Sequence, residues 1–587
     1  MGVPSLFAWW VEHYINILQN SAPNSGRKLL YFDFNGLIHP AVRSDNLELS
    51  QMFSAVSDYL VRVCNSVLPD EIYIAIDGVA PAAKMKQQQD RRYKSAKESQ
   101  VMREIAIKHG QPVRDEEVDF NMISPGTKFM CDLQQYLKGF ITNRCQNEWS
   151  NIIVTLNGAD NPGEGEHKIM NDIRLRKTQD NILIYGLDAD LIFLSLINAP
   201  NAYLVRENIQ FKNRDKTDFF DTIKYPFIYL DVSKLKEIII KTLSPKTHID
   251  DLIKMGFKND IIDDEDVDDL CNNHKWYKDT PAEHQRILLD YSFICFFLGN
   301  DFLPNLPCLK IRNGSLNEIL IIYKKISWLT GTYLIEPSGS SYNTYFLFEF
   351  LSEIVFIEDD LLKQQSEKRL KDIKIVVNRL KSLPPFQADV ERYRYIEDKY
   401  VDEVKGGTPG WQQRYYFHHH GIKVAHKKEF IKYVNNICDE YLKGTLWILN
   451  YYQGKQCSWS WYYPYNAAPA ACDLVKAQLA VKSEDIEFDG PVSPFVQLMS
   501  VLPPESASLL PPCLAYYMTS RHSFIHYMYP IKISVHMLGH KWYHECKARM
   551  PYIDRNLLAD IVERHMPDFS EEEQLRNNNR FEVIKFY

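Results

Sequence analysis

The chain has 587 residues, too many for one ordinary domain, and its 45% hydrophobic and 25% charged content excludes a disordered or fibrous protein. A net charge of −8 excludes a general attraction to nucleic acid, so any such site must be a local basic patch. The eleven cysteines never form C-x-x-C, which argues against a zinc ribbon or disulfide partners and for a reducing compartment.

No stretch approaches the ~20 apolar residues of a membrane span, so FICFFLG reads as a core segment and no membrane partner is expected. The opening MGVPSLFAWW lacks the basic region of a secretory signal. A soluble cytoplasmic protein is expected, with the nucleus as the alternative compartment.

In chain order, residues 28–32, 71–76, 151–156, 181–185 and 202–205 are short apolar runs separated by helix-length segments. That alternation predicts an α/β fold: a largely parallel sheet with helices on both faces. Seven acids stand where a predicted strand ends or a helix begins, most of them behind one of these runs. Asp33 ends YFD, Asp77 follows IYIAI, Glu164 and Glu166 stand in NPGEGEHKIM, Asp188 and Asp190 in YGLDADLIFL, and Asp301 in LGNDFLP. Ligands of open α/β sheets bind beyond the carboxyl ends of the strands, so the seven acids are expected to share one crevice. A single acid at a strand end is ordinarily a cap or turn. The E-x-E and D-x-D pairs argue otherwise, because alternate residues of an extended segment point the same way. So many carboxylates repel unless cations neutralise them. Oxygen-only ligands select Mg²⁺ or Mn²⁺ over zinc, and two such ions are the usual apparatus of phosphodiester hydrolysis.

Residues 81–108 form the longest helical pattern, stopped by Gly110 and Pro112; a run of that length can project from the sheet or carry a break. Lys84, Gln88, Arg91 and Arg92 are spaced i, i+4, i+7, i+8 on one face. Alone they would read as a solvated basic face. Directly after Asp77 they read as a phosphate clamp. His39, six residues after Asp33, is a candidate for base stacking or proton transfer, against the plainer reading of a turn residue.

Further on, DDEDVDD at 263–269 lacks the glycine and final glutamate of a calcium loop and reads as a solvated acidic loop. Cys271 and His274 form a C-x-x-H with no second pair, and His418, His419 and His420 read as a surface or structural run. Residues 331–405, charge-rich and helical in period from 355, read as a connector; 406–587 is aromatic-rich with proline-punctuated turns. Within it, SWSWYYPY offers Trp459 or Trp461 to a nucleobase, although aromatic clusters are more often core.

Taken together, these motifs resemble the XRN family of 5′→3′ exoribonucleases over nearly the whole chain. The resemblance rests on MGVPSLFAWW, YFDFNGLIHP, DGVAPAAKMKQQQDRRYKSAKE, ISPGTKFM, PGEGEHKIM, IYGLDADLIFL, LGNDFLPNLPCLKIRNGSLNEIL, WILNYYQGKQCSWSWYYPYNAAP and PFVQLMSVLPPESASLLP. It implies a catalytic core like that of PIN and flap nucleases in 1–330. A mixed, mostly helical second conserved region, 406–587, would close over that core. It assigns the seven acids to metal binding and Lys84, Gln88, Arg91 and Arg92 to the 5′-monophosphate. His39, with Trp459 or Trp461, would stack on the first bases. The implied activity is processive degradation of 5′-monophosphorylated single-stranded RNA, such as decapped mRNA, to nucleoside 5′-monophosphates. The decapping machinery is the implied candidate partner.

The chain departs from the family pattern in having Ala82 for the usual Arg, Gln89 and Asp90 where basic residues are common, and Lys128 for a usual Glu. It stops after the second conserved region and is expected to be a compact core enzyme of the kind large DNA viruses encode. Two rival readings are a flap-type or 5′ exonuclease acting on DNA and a non-catalytic RNA-binding scaffold. Against the first, no glycine-rich helix–hairpin–helix pattern follows Asp301; against the second, none of the seven acids is missing.

Overall fold

The computed structural model describes residues 6–43, 47–113, 118–208, 225–244, 277, 279–395, 401–422, 427–477, 489–536, 540 and 542–587. The acidic loop at 263–269 and the Cys271/His274 pair lie outside them.

The five apolar runs are strands β2 (Lys28–Asp33), β3 (Glu71–Ala75), β4 (Ile153–Asn157), β5 (Asn181–Tyr185) and β6 (Ala202–Glu207). They pair in parallel in the order β6-β5-β2-β3-β4. Every residue of β3 and all but Lys28 of β2 are buried, as continuous apolar composition requires of strands covered on both faces. Alternate residues feed opposite cores. Leu29, Tyr31, Ile182 and Ile184 join the core packed by the Gly165–Arg176, Asp190–Asn198 and Pro281–Phe296 helices. Leu30, Phe32, Leu183 and Tyr185 join the core packed by the Leu49–Val67 and Lys128–Gln146 helices.

Three antiparallel strands extend this frame. β7 (Phe227–Asp231) pairs with β6 and β1 (Leu18–Gln19) with β7, while β10 (Val583–Phe586) returns from the far end of the sequence to flank β4. A separate small ribbon joins β8 (Val535–His536) to β9 (Lys547–Ala548).

The rest is mostly helical, including the 39-residue Thr344–Ser382 helix and the Lys427–Tyr452 helix. The buried face of Lys427–Tyr452 (Tyr441, Leu442, Trp447, Ile448, Tyr452) merges with one sheet core. A third core around Phe495, Leu498, Met499 and Leu558 takes in Val79 and Met85. That contact ties the C-terminal helices to the start of the Ala82–Lys108 helix. This helix runs 27 residues without the break its length allowed, because no Gly or Pro lies inside it. The FICFFLG segment is buried core. Among the described residues, no helix is long and apolar enough to cross a membrane.

Candidate active site

The strand order reverses between β2 and β5: β3 and β4 extend to one side, β5 and β6 to the other. Asp33 closes β2 and Asp188 follows β5, so both stand at this switch point, where a ligand crevice opens. Asp77 follows β3, and its Oδ1 accepts the Gly165 N–H at 2.7 Å. A Cβ at Gly165 would lie 3.0 Å from both Asp33 Oδ1 and the Ala75 carbonyl oxygen. Glycine therefore lets the Glu164–Gly165–Glu166 backbone close on the first two acids. Reciprocal bonds from Gly78 N–H to Gly163 O (2.9 Å) and Gly163 N–H to Val79 O (2.7 Å) hold the two loops together.

One expectation needs correction. The E-x-E and D-x-D pairs do not lie along extended segments. Glu164 immediately precedes the Gly165–Arg176 helix, which has Glu166 in its first turn, and Asp190 opens the Asp190–Asn198 helix. Each pair straddles a helix N-terminus, whose partial positive charge favours carboxylates.

The carboxylates strongly perturb one another. Burial, then Asp77 and Asp188, hold Asp33 well above the usual carboxylate range. Burial does the same for Glu166, against the pull of Lys84. Asp190 is pushed up to about 7 by burial and by Asp301. Burial also lifts Asp301, but the Lys84 ammonium outweighs it and holds that acid low.

Lys84 reaches into the acids themselves. Its Nζ lies 2.6 Å from Glu164 Oε2 and 3.0 Å from Asp301 Oδ2. Arg91 and Arg92 act on His39 instead. Its imidazole is pushed down to about 4 by burial and then by Arg91, Arg43 and Arg92. Arg92 is buried, Arg91 exposed. Gln88 Oε1, Arg92 Nη1 and His39 Nδ1 are buried with no hydrogen-bond partner among the described residues. A buried guanidinium N–H without an acceptor is unfavourable until an anion arrives.

Three residues escaped the sequence reading. The Tyr451 hydroxyl donates to Glu164 Oε1 at 2.7 Å, and its ring stacks on His167 at 3.7 Å. His167, kept neutral by burial, brings a ring nitrogen within 4.8 Å of ligand atoms of Glu164 and Glu166. Lys168 donates to the carbonyls of Ile76 (2.7 Å) and Gly158 (2.8 Å), fixing the ends of β3 and β4. His167 and Lys168 directly follow Glu166 and carried that adjacency as their only signal. Tyr451 carried none.

The two tryptophans differ. The Trp461 indole packs at 5.4 Å from Trp447 and donates to Glu440 Oε2 at 3.3 Å. Trp459 is held by its backbone: Asp489 accepts its N–H, and its carbonyl accepts the Ala82 N–H at 2.7 Å. Its half-buried indole has no hydrogen-bond or ring partner among the described residues. Of the departures, Ala82 thus sits under Trp459. Asp90 faces away from the clamp, accepting the Ala548 N–H and pairing with Lys94 at 3.0 Å. Lys128 is a surface residue 3.4 Å from Asp132 and from Glu572. The three consecutive histidines end the Trp411–His420 helix and line a cavity of about 670 Å³, with none of the seven acids in its wall.

An oxygen-rich acidic centre at the switch point of a mostly parallel sheet, beside a cationic helix, defines the class: an α/β nuclease core. The family described as "XRN 5'-3' exonuclease N-terminus" matches residues 1–208, and that described as "Xrn1 helical domain" matches 281–383 and 363–587. The chain belongs to the XRN family of 5'-3' exonucleases. It is similar to 5'-3' exoribonuclease 2 of Arabidopsis thaliana, 28% identical over 100% of this chain and 69% of the relative. The same enzyme of Gallus gallus is 27% identical over 100% and 72%. The 5'-3' exoribonuclease 1 of Saccharomyces cerevisiae is 27% identical over 98% of this chain and 44% of its own length.

Proposed function

We propose that this protein is a divalent-metal-dependent 5′→3′ exoribonuclease that degrades 5′-monophosphorylated single-stranded RNA processively to nucleoside 5′-monophosphates. The observation that carries this reading is the gathering of buried carboxylates around Lys84, about two turns along one helix from Arg91 and Arg92, which act on the neutral His39 imidazole. The donor set suits hard divalent ions: the ligand oxygens are abundant, and burial opposes their ionisation without cations. Asp33, Asp77, Glu164, Glu166, Asp188, Asp190 and Asp301 would hold two Mg²⁺ or Mn²⁺ ions. Such ions, when bound, activate the attacking water and neutralise charge developing on the phosphate.

The residues of the chain do the rest. Arg91, Arg92 and Gln88 bind the 5′-phosphate, and Lys84 steadies the acids beside it. His39 stacks on the first base and Trp459, whose indole has no ring partner, closes the stack. Water attacks phosphorus of the first linkage, and the bond to the 3′ oxygen of the first nucleotide breaks. That nucleotide leaves as a 5′-monophosphate, and the shortened RNA keeps a 5′-phosphate for the same pocket. Processive digestion follows from this regeneration.

We assign the catalytic region to 1–330 and a helical connector to 331–405, with 406–587 closing over the site; the Tyr451–Glu164 bond supports that closure. The ten described cysteines are free thiols, which suits the cytoplasm and the decapped mRNA found there. A time course on 3′-labelled RNA tests the reading. Mononucleotides should accumulate from 5′-monophosphate RNA in Mg²⁺ and not in EDTA. Internal fragments appearing first, cutting of circular RNA, or equal digestion of 5′-phosphorylated DNA would overturn it.

A further inference from the structure

The Ala82–Lys108 helix carries a second cationic face. Lys86 lies about 200° around the helix from Lys84, on the side where Asp90 and Lys94 dock against β9. Lys86 and Lys547 of β9 have no ion pair or side-chain hydrogen bond among the described residues, and Arg555 meets only the Tyr462 ring, at 4.7 Å. The Asp90 bond to the Ala548 N–H brings the turn of the helix that follows Lys86 against Lys547, and Lys547 and Arg555 both act on Lys86, adding to the burial that pushes it down to about 8 against the pull of Asp90. Nearby carboxylates are engaged elsewhere. Asp90 holds Lys94 and the Ala548 N–H, Asp489 accepts from Trp459 and Ser460, and Asp554 caps a helix through Leu557 N–H. Tyr552, 64% exposed, lies within electrostatic reach of both Tyr462 and Arg555.

Asp90 acts on Lys86 and Asp554 on Arg555, but both carboxylates are already bonded elsewhere, so the three cations leave an excess of positive charge, and in a chain of net charge −8 that excess at one place points to an anionic visitor. The position identifies it. Lys547 acts on Asp301 of the acidic centre. Lys86 is four residues into the helix whose Ala82 N–H bonds Trp459. Tyr462 is three residues past that tryptophan. Cations alternating with aromatic rings are the arrangement that tracks a single strand, phosphates on the charges and bases on the rings.

We propose that Lys86, Lys547 and Arg555, with Tyr462 and Tyr552, form a second RNA-binding subsite that receives the phosphate backbone downstream of the cleaved linkage. The 5′ end is then held on one face of the Ala82–Lys108 helix and the incoming strand on the other. This subsite rests on the exoribonuclease reading above and adds to it a dependence on substrate length.

The test compares a 5′-monophosphorylated trinucleotide with an RNA of about twelve nucleotides, within the span of known single-strand sites. Binding is read by fluorescence anisotropy in the non-cleaving Asp190→Asn background with Mg²⁺, and KM in the active protein. The Lys86→Gln/Lys547→Gln variant should weaken binding of the longer RNA by about tenfold more than that of the trinucleotide. The slope of log Kd against log salt should fall by about 1.4, since each single-strand phosphate contact contributes about 0.7. Lys86→Arg/Lys547→Arg should restore both, which separates a charge effect from misfolding. Equal losses at the two lengths, or an unchanged salt slope, would overturn the subsite. Length-dependent binding by a parent protein that degrades no RNA would overturn the exoribonuclease reading and leave the subsite standing.

Discussion

The Lys84 ammonium lies 2.6 Å from Glu164 and 3.0 Å from Asp301, two acids 137 residues apart in sequence that meet on one cation. Both carboxylates are almost fully buried and the lysine side chain is 12% exposed. Lys84 is therefore the internal counter-charge of the acidic centre as well as a neighbour of the proposed phosphate clamp. Removing it leaves two buried acids uncompensated. Lys84→Met should destabilise the metal-free protein by about 3 kcal/mol, the usual penalty for breaking a buried pair from one side. Denaturant titration in EDTA measures it, and an effect under about 1 kcal/mol would show that the pair is not a structural element.

Asp190→Asn should behave in the opposite sense. Its carboxylate is buried at the start of a helix with Oδ1 lacking a hydrogen-bond partner, and its pKa is pushed up to about 7. Near neutral pH the amide avoids the unfavourable charge, so the melting temperature in EDTA should hold or rise. Exonuclease activity should fall at least a hundredfold, roughly the loss expected when a ligand that organises charge stabilisation is removed. Retained activity would remove Asp190 from the catalytic set.

The raised acids also predict a pH dependence. Asp190, Asp33 and Glu166 bind protons more tightly in the folded chain than their ordinary values allow. Folding is thus favoured below the unfolded carboxylate range, and this contribution is lost as pH rises from about 4 through about 7. Each such group contributes up to about 1.4 kcal/mol per pH unit within its window. Asp290 and Glu358, both raised to about 7 by burial, add to the trend. The buried histidines His39, His167 and His420, whose pKa values burial lowers, work in the opposite sense up to about pH 6.5, so melting temperatures in EDTA should fall from about pH 6.5 through about pH 7, and Mg²⁺ should stabilise more at the upper end. A flat profile in EDTA, or an Mg²⁺ shift independent of pH, would contradict the apo electrostatics.

The parallel core of the sheet was legible because buried strands are continuous apolar runs, and the acids because most of them stand just after such a run or at the start of the helix that follows it. β10 was not legible: its burial alternates between exposed and intermediate, and its partner β4 lies more than 400 residues earlier. The carboxylate pairs were found for an incomplete reason, since adjacency was visible but the helix starts that orient them were not. Tyr451 was invisible because its contact with Glu164 spans 287 residues and neither residue type announces the other. Spacing puts Lys84 and Arg91 on one helix face, yet it could not show that the Lys84 ammonium turns into the acids while Arg91 and Arg92 act on His39.

On the proposed function, that division of labour on one helix predicts how the RNA end is chosen. Arg91→Ala/Arg92→Ala should lower activity on 5′-monophosphate RNA by about one to two orders of magnitude, the value of charge-assisted bonds to one phosphate. Activity on 5′-hydroxyl RNA, already low, should change little, so discrimination disappears. Parallel rates on monophosphate, hydroxyl, triphosphate and capped substrates decide it. A parent enzyme that degrades all four equally has no such pocket.

The last prediction separates the two tryptophans. Trp461 is part of the packing: its ring lies 5.4 Å from Trp447, its Nε1–H reaches Glu440, and its Cη2 would be only 2.9 Å from a Cβ at Gly444. Trp461→Ala should therefore destabilise the fold by about 3 kcal/mol, as truncation of a packed aromatic does. Trp459 has a half-buried indole without ring or hydrogen-bond partner, while its backbone is fixed by Asp489 and Ala82. Trp459→Ala keeps that backbone, so stability should move by less than about 0.5 kcal/mol. It removes a stacking surface worth about 1–3 kcal/mol per base, which shortens processive runs about tenfold while the first cleavage slows less. Single-turnover and run-length measurements on one labelled RNA, with thermal melts of both variants, check the split. Normal run lengths for Trp459→Ala beside shortened runs in a still-folded Trp461→Ala would reverse the assignment.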